Sequence, residues 1–333
     1  LKMERIPPAA AINTTVELAK THNLKKLAPV VNGILRSALR NKERGLSLPK
    51  SNNPILELAK NQSLPLWLAE ELIAWKGVED ANKIAKAFNI VRPIDIRVNK
   101  LCAEIKDVKE NFDSYGIKNR FIPGCPYGLE ISSGFGELKK WPGYEEGRWS
   151  VQDRSSQLIA PLLGPLSGEK ILDACAAPGG KSTHIAELIN DKGKIFSVDR
   201  SAHRSKKIAA NAKRLGTSCL QLIVSDSNEL LVKNPKWQGF FDRILIDAPC
   251  SGLGTLARHP DARWRMNKDN IQDLIVIQSQ LLMSLAPLLK SGGKLVYSTC
   301  TIHPDENLNQ IKNFLKMTPE FLLEYEKQIW PGE

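Results

Sequence analysis

Cys250 and Cys300 are the residues of this sequence best placed to do chemistry. Each follows a short apolar run: 242–247 leads into Ala248-Pro249-Cys250, and 294–298 leads into Thr299-Cys300. Bounded runs of this length read as buried strands. If the two strands are neighbours in a sheet, about 5 Å apart, both thiols sit over one pocket. A deprotonated thiol is a strong nucleophile. A lone Cys is commonly a small buried filler, but a pair at the ends of adjacent strands is harder to assign to packing.

A second stretch, Lys170-Ile-Leu-Asp-Ala-Cys-Ala-Ala-Pro-Gly-Gly-Lys-Ser182, has the form of a ligand loop. Its first five residues are too few for a helix, and Pro178, Gly179 and Gly180 end the run. Ile185, Leu188 and Ile189 then fall at helical spacing. A strand, a glycine turn and a helix present free helix N–H groups to an anionic or polar ligand. The glycines let the backbone approach it without a Cβ. Two adjacent glycines suit an ordinary strand-to-helix turn equally well. The G-x-G-x-x-G dinucleotide pattern is absent. A P-loop is nearly met by Gly180-Lys181-Ser182, with Ile244-Leu-Ile-Asp247 as a Walker B strand, but Cys175 stands where its first glycine belongs. That reading also leaves Cys250 and Cys300 unexplained. Asp199 ends the second strand, where an acid accepts hydrogen bonds from ribose hydroxyls, and Asp226 ends the third, where it could meet the base. Either acid would also serve as an ordinary helix cap.

The elements that must position these groups follow from periodicity. From Gly168 onward strands at 170–174, 194–198, 220–224, 242–247 and 294–298 alternate with helices at 182–189, 202–215, 270–289 and 305–317. This alternation predicts an α/β, doubly wound, mostly parallel sheet with ligands at its carboxyl edge. Before it, helices are expected at 13–22, 27–39, 64–75 and 78–88. A polar linker is expected at 41–53. A small α+β module follows, with strands at 94–98, 119–122 and 129–131 and a helix from 105 that ends at Gly116. Gly134, Gly136, Pro142, Gly143 and Gly147 suggest a hinge, and a helix at 155–163 follows Trp149-Ser-Val-Gln-Asp-Arg154.

The 333 residues can bury a large core, with two or three domains as the prior. A hydrophobic share of 42% and a charged share of 25% are those of a globular protein. No apolar run is read as reaching the ~18–20 residues of a membrane span, and no signal peptide is seen. A net charge of +11 points to a polyanionic partner. Residues 1–50 hold ten Lys or Arg against three Glu, +7 of that total, although a solvated basic face would look the same. The six cysteines lie far apart, without C-x-x-C or His at ligand spacing. Neither a metal site nor a disulfide framework is expected, and a reducing cytoplasm suits such thiols. The chain opens without Met and in mid-pattern, so it is expected to be a piece of a longer protein.

Several segments occur in an order that resembles a known family: Val151-Gln-Asp153, Asp173-Ala-Cys-Ala-Ala-Pro-Gly-Gly-Lys181, Asp247-Ala-Pro-Cys-Ser-Gly252, Arg258-His-Pro-Asp261 with Trp264, and Tyr297-Ser-Thr-Cys300. Together they are similar to the S-adenosylmethionine-dependent RNA cytosine-C5 methyltransferases, above all the bacterial branch that modifies 16S ribosomal RNA. Pro7-Pro8-Ala-Ala-Ala-Ile-Asn13 and Val31-Asn-Gly-Ile-Leu-Arg36 resemble the latter half of that branch's NusB-like RNA-binding domain. The first half of that domain and the family's closing strands, with an Asp-Gly-Phe-Phe type motif, are missing.

The resemblance implies a Rossmann-like class I methyltransferase at 147–333, a helical linker and small α+β RNA-binding module at 51–146, and a NusB-like remnant at 1–50. It implies Cys300 as the nucleophile at cytosine C6, Cys250 as the residue that releases the adduct, and Asp247 at the ring N3. S-adenosylmethionine would be held by Cys175, Ala176, Ala177, Pro178, Gly179, Gly180, Lys181, Asp199, Asp226 and Asp247. Arg258, His259 and Arg263 would touch RNA. The expected partner is small-subunit ribosomal RNA, free or in an assembly intermediate, met by a cytoplasmic monomer without a membrane. The rival readings are a transfer-RNA methyltransferase, a non-catalytic RNA-binding assembly factor and a P-loop ATPase.

Overall fold

The computed structural model describes residues 6–41, 51–132 and 136–333. They fall into two compact units, Leu1–Ser63 and Leu64–Glu333. The first unit holds α1 (Pro8–Thr21), α2 (Ala28–Arg40) and α3 (Pro54–Gln62). Proline at the first turn of each suits a position whose N–H would be unpaired anyway. The side chain of Asn53 caps α3 by accepting from Ile55 N at 2.9 Å. Helix α2 buries only Ala28 and leaves Val30 and Ile34 exposed. Most of the linker expected at 41–53, and Gly134 of the expected hinge, lie outside the described residues.

The second unit opens with α4 (Leu66–Ala87), which is interrupted at Gly77, where φ is +73°. It is therefore two helical halves, as the periodicities at 64–75 and 78–88 predict. Next come β1 (Ile94–Val98), α5 (Ile105–Ser114), β2 (Asn119–Phe121), β3 (Gly128–Ile131) and β4 (Trp149–Val151). These strands form an antiparallel sheet of order β2-β3-β1-β4. Ile96 and Val98 of β1 pack with Val108 and Phe112 of α5 and with Trp141 and Trp149. Strand β4 pairs with β1 in the register Ile96↔Val151 and Val98↔Trp149. The antiparallel sheet therefore takes in Trp149–Val151.

The remaining elements are α6 (Arg154–Gln157), α7 (Ile159–Leu163), β5 (Lys170–Asp173), α8 (Gly180–Leu188), β6 (Lys194–Asp199), α9 (Ala202–Arg214), β7 (Leu220–Val224), α10 (Leu230–Lys233), β8 (Phe241–Asp247), α11 (Ala262–Arg265), α12 (Lys268–Leu285), β9 (Leu289–Ser298) and α13 (Leu308–Met317). All five strands pair in parallel, in the order β7-β6-β5-β8-β9. Leu172, Phe196, Ile244 and Ile246 pack on one face with Leu281, Leu282 and Leu285 of α12 and Phe314 of α13. Ile171, Ile195 and Leu245 pack on the other with Leu163 of α7 and Ile185 of α8. Successive side chains of each strand thus serve opposite cores, as a sheet covered on both faces requires. Residues 268–288 are long and apolar enough to cross a membrane, which corrects the reading that no such run exists. Their buried Leu281, Leu282 and Leu285 belong to the core under the sheet.

The polar face of β1 ties the α+β module to the large sheet domain. Arg97, 1% exposed, donates from Nη2 to Glu187 Oε1 at 2.6 Å and from Nε to Oε2 at 3.0 Å. Its Nη1 donates to Gly180 O at 3.0 Å and also to Gln152 Oε1. A buried ion pair so fully hydrogen-bonded is strongly destabilising to break on one side only. Replacing Arg97 by Met is therefore expected to lower the unfolding free energy by about 3–5 kcal/mol. Adding Glu187→Gln should recover part of that loss. Urea titration checks both, and a single-mutant loss below ~1 kcal/mol would contradict this account of the joint.

Candidate active site

The carboxyl ends of the five strands bring the ligand loop, the acids and the two thiols to one edge. Strand β5 lies between β6 and β8, so successive connections leave it in opposite directions. A crevice opens at such a switch point. The loop after β5 is fastened to both neighbours: Ala174 N donates to Leu245 O and Ala176 N to Val198 O, each at 2.9 Å. Gly179 adopts φ +100°, and a Cβ there would lie 3.1 Å from Ile208 Cα of α9. Glycine is needed here for the turn and for helix packing. At Gly180 a Cβ would meet nothing nearer than Gln152 Nε2 at 3.9 Å, so the start of α8 is open. Thr183 N is bonded back to Gly179 O, which leaves the earlier N–H groups of α8 without helical acceptors.

Three aspartates line this edge. Asp199 is 4% exposed and accepts from Ser201 N at 2.9 Å and from Ala177 N at 3.3 Å. Asp226 is exposed and accepts from Asn228 N at 2.9 Å, capping a short turn. Asp173 is fully buried and accepts from Ser182 Oγ at 2.6 Å. Burial pushes its carboxyl up to about 7, against the opposing Ser182 hydrogen bond. Cys175 is pushed up to about 12, first by burial and then by the nearby aspartates, so it is a neutral filler of the loop.

Parallel pairing of β8 and β9 sets the reactive groups. Asp247 lies opposite Ser298, whose Oγ donates to Asp247 Oδ1 at 2.8 Å. Lys181 Nζ reaches Asp247 Oδ2 at 2.5 Å. Lys181, expected on the cofactor, is thus the counter-charge of Asp247. Beyond the strand ends the two sulfur atoms lie 3.3 Å apart, and Cys300 N donates to Cys250 Sγ at 3.3 Å. Cys300 is exposed and Cys250 partly covered. The Cys250 thiol is raised well above its usual range, first by its hydrogen bond to Cys300 and then by burial. The Cys300 thiol is lowered by that same bond and by Lys181, against burial and the charge of Asp247. The pair titrates as a unit, and the thiolate forms at Cys300 in preference to Cys250. Gly254 N donates to Cys300 O at 3.0 Å, and a Cβ at Gly254 would lie 2.8 Å from that oxygen.

The loop after Cys250 rests on the α+β module. Arg258 donates to Asp153 Oδ2 at 3.0 Å and to Pro93 O at 3.3 Å, and His259 is exposed. Arg263 is 3% exposed and donates to Asn89 Oδ1 at 3.1 Å and to Phe88 O at 3.3 Å. A guanidinium buried against a helix end has no face left for phosphate, which corrects its reading as an RNA contact. Beside it, Trp264 is 62% exposed. Sequence reasoning also missed Glu306, a fully buried acid behind both cysteine turns. On the sequence it is only an acid in the first turn of a helix.

Residues 160–329 match the model of 16S rRNA methyltransferase RsmB/F, and residues 1–40 match the NusB family. The chain is 41% identical over 314 residues to "Probable ribosomal RNA small subunit methyltransferase B" of Synechocystis sp., covering 94% of this chain and 70% of that protein. Among solved structures, PH0851 is similar with a TM-score of 0.81 and 29% identity, over 99% of this chain and 74% of that one. NSun6 from Pyrococcus horikoshii with SFG is similar with a TM-score of 0.70 and 25% identity, over 77% of this chain and 88% of that one. The parallel sheet is accordingly the Rossmann-like sheet of methyltransferases. With a model spanning half of the sequence and a relative this similar over nearly all of it, the chain belongs to the 16S rRNA methyltransferase RsmB/F family.

Proposed function

We propose that this chain transfers the methyl group of S-adenosylmethionine to C5 of a cytosine in small-subunit ribosomal RNA, through a covalent bond between Cys300 and cytosine C6. The observation that carries this reading is the thiol pair, 3.3 Å apart, beside Asp247 and its Lys181 counter-charge. The residues at the crevice fit the cofactor. The start of α8 is open at Gly180, Asp199 ends β6, and Asp226 lies two residues past the end of β7, where ribose and base would lie. That a similar structure, NSun6, was solved with SFG supports a cofactor of this class. When bound, S-adenosylmethionine supplies an electrophilic methyl group.

The chain's own residues do the rest. C5 of cytosine is a weak nucleophile, and the base must leave its stack to enter the pocket. The Cys300 thiolate adds to C6, and the displaced electron pair makes C5 an enamine carbon. N3 becomes basic as the electrons move into the ring and takes a proton from solvent. The Asp247 carboxylate accepts a hydrogen bond from that N–H while Lys181 balances its charge, and N3 gives the proton back when the Cys300–C6 bond breaks. After transfer, C5 must lose its proton so that the Cys300–C6 bond can break and return its electron pair to sulfur. Bond formation at Cys300 removes the neighbour that chiefly raises Cys250. The Cys250 thiol can then lose its own proton to solvent, and the thiolate so formed takes up the C5 proton. Its position against the nucleophile thus suits a hydrogen-bond donor to the Cys300 thiolate early in the cycle and a base late in it.

Cys300→Ala is expected to abolish methylation and to form no covalent RNA complex. Cys250→Ala is expected to accumulate RNA as a covalent adduct that shifts on a denaturing gel. A shifted band in Cys300→Ala alone would reverse the roles, and normal methylation by both variants would end the shared-pocket mechanism. At the cofactor end, Asp199→Ala should weaken S-adenosylmethionine by about 1.5–3 kcal/mol, as for hydrogen bonds to a charged group. Calorimetry showing unchanged affinity in a folded variant would remove Asp199 from that site.

A further inference from the structure

We infer that Glu306 is the positioning residue that fixes the spacing of Cys250 and Cys300 by clamping the residues that follow each thiol. This inference rests on the two-thiol mechanism proposed above. Glu306 is fully buried, at 0% exposure, in the 3₁₀ turn Pro304–Glu306 ahead of α13. Its Oε2 accepts from Ser251 N at 2.8 Å and from Gln278 Nε2 of α12 at 3.0 Å. Its Oε1 accepts from Ser251 Oγ at 2.5 Å and from Thr301 Oγ1 at 3.1 Å. The two hydroxyl oxygens lie 2.7 Å from each other. Ser251 directly follows Cys250, and Thr301 directly follows Cys300.

One carboxylate therefore joins two turns that are 50 residues apart in sequence. The turn that carries it is itself held to β9, because Tyr297 donates its hydroxyl proton to Glu306 O at 2.8 Å. Its neighbour Asn307 brackets Cys300 from the other side, accepting from Thr299 Oγ1 at 2.5 Å and donating to Thr301 O at 2.9 Å. Burying a carboxylate is costly unless its oxygens are filled with donors. Here three of the four donors come from Ser251 and Thr301. An apolar side chain could fill the same space, but it would leave those hydroxyls and the Ser251 N–H unpaired and the two turns free to part. The Cys250–Cys300 hydrogen bond depends on that separation, since thiol contacts weaken within a fraction of an ångström.

The test reads the thiols directly, in the whole chain and without RNA or cofactor. Diamide takes up two electrons and two protons from a pair of close thiols and leaves one S–S bond between them. Iodoacetamide alkylates a thiolate, so its rate against pH reports the ionisation of Cys300, which faces Cys250, Asp247 and Lys181. Glu306→Gln is expected to slow formation of the Cys250–Cys300 bond at least tenfold and to move the Cys300 alkylation profile to higher pH. Buried Cys125 and Cys219 should react no faster than before. Thr301→Val, which frees only the Cys300 side of the clamp, should act in the same direction and less strongly. It also serves if Glu306→Gln does not fold. An unchanged pair in either folded variant would overturn the clamp. So would a general rise in the reactivity of Cys125 and Cys219, which marks loosened packing and not lost positioning. A clamp that fails this test leaves the methyl-transfer mechanism standing, and a wild-type chain that never bonds to RNA leaves the clamp standing.

Discussion

The structure depends on the parallel pairing of β8 with β9. Register places Asp247 opposite Ser298, and everything reactive follows within three residues of that point. Each chain leaves its strand at the same edge, turns, and presents a cysteine. Because strands in a sheet stand about 5 Å apart, short turns can bring the two sulfur atoms into contact without any unusual backbone. The same pairing carries Ser298 to Asp247 and leaves Lys181, from the start of α8, within reach of the other carboxylate oxygen. A slip of one residue in this register would turn Asp247 or Ser298 to the opposite face and dissolve the site.

Electrostatics then divides labour between groups of the same type. Cys175, Cys250 and Cys300 lie along one crevice, yet only Cys300 combines exposure with a stabilised thiolate. Cys175 is neutralised by burial, and Cys250 by its neighbour and by burial. The aspartates divide similarly. Asp247 has a cation and a hydroxyl and keeps one edge toward the pocket. Asp173 is buried beneath the loop, and burial outweighs the Ser182 hydrogen bond and pushes it toward the neutral form. Site chemistry is thus set by what surrounds each residue more than by what the residue is.

Much of this was legible in the sequence because it is local. Strand–loop–helix alternation depends on periodicity, and the meeting of Cys250 and Cys300 follows once the sheet is known to be doubly wound. What the sequence hid in the site and around it is non-local. Trp149-Ser-Val151 is three residues long and becomes a strand only because β1, some fifty residues earlier, offers it an edge. Arg263 sits in a basic loop that reads as solvent-facing, yet the end of α4 supplies two acceptors and buries it. Lys181 belongs to the ligand loop in sequence and to Asp247 in space. Glu306 carries no local mark at all, since its four donors come from two turns and a helix.

The central claim is that Cys300, and not Cys250, bonds to the cytosine. Small-subunit ribosomal RNA carrying 5-fluorocytosine tests it most directly in the unmutated protein, because fluorine at C5 cannot depart as a proton does and the adduct is trapped. After incubation with S-adenosylmethionine and proteolysis, mass spectrometry locates the nucleotide. The account predicts a methylated nucleotide on the peptide that contains Cys300. A nucleotide on the peptide that contains Cys250, or a methylated RNA with no protein attached, would contradict it.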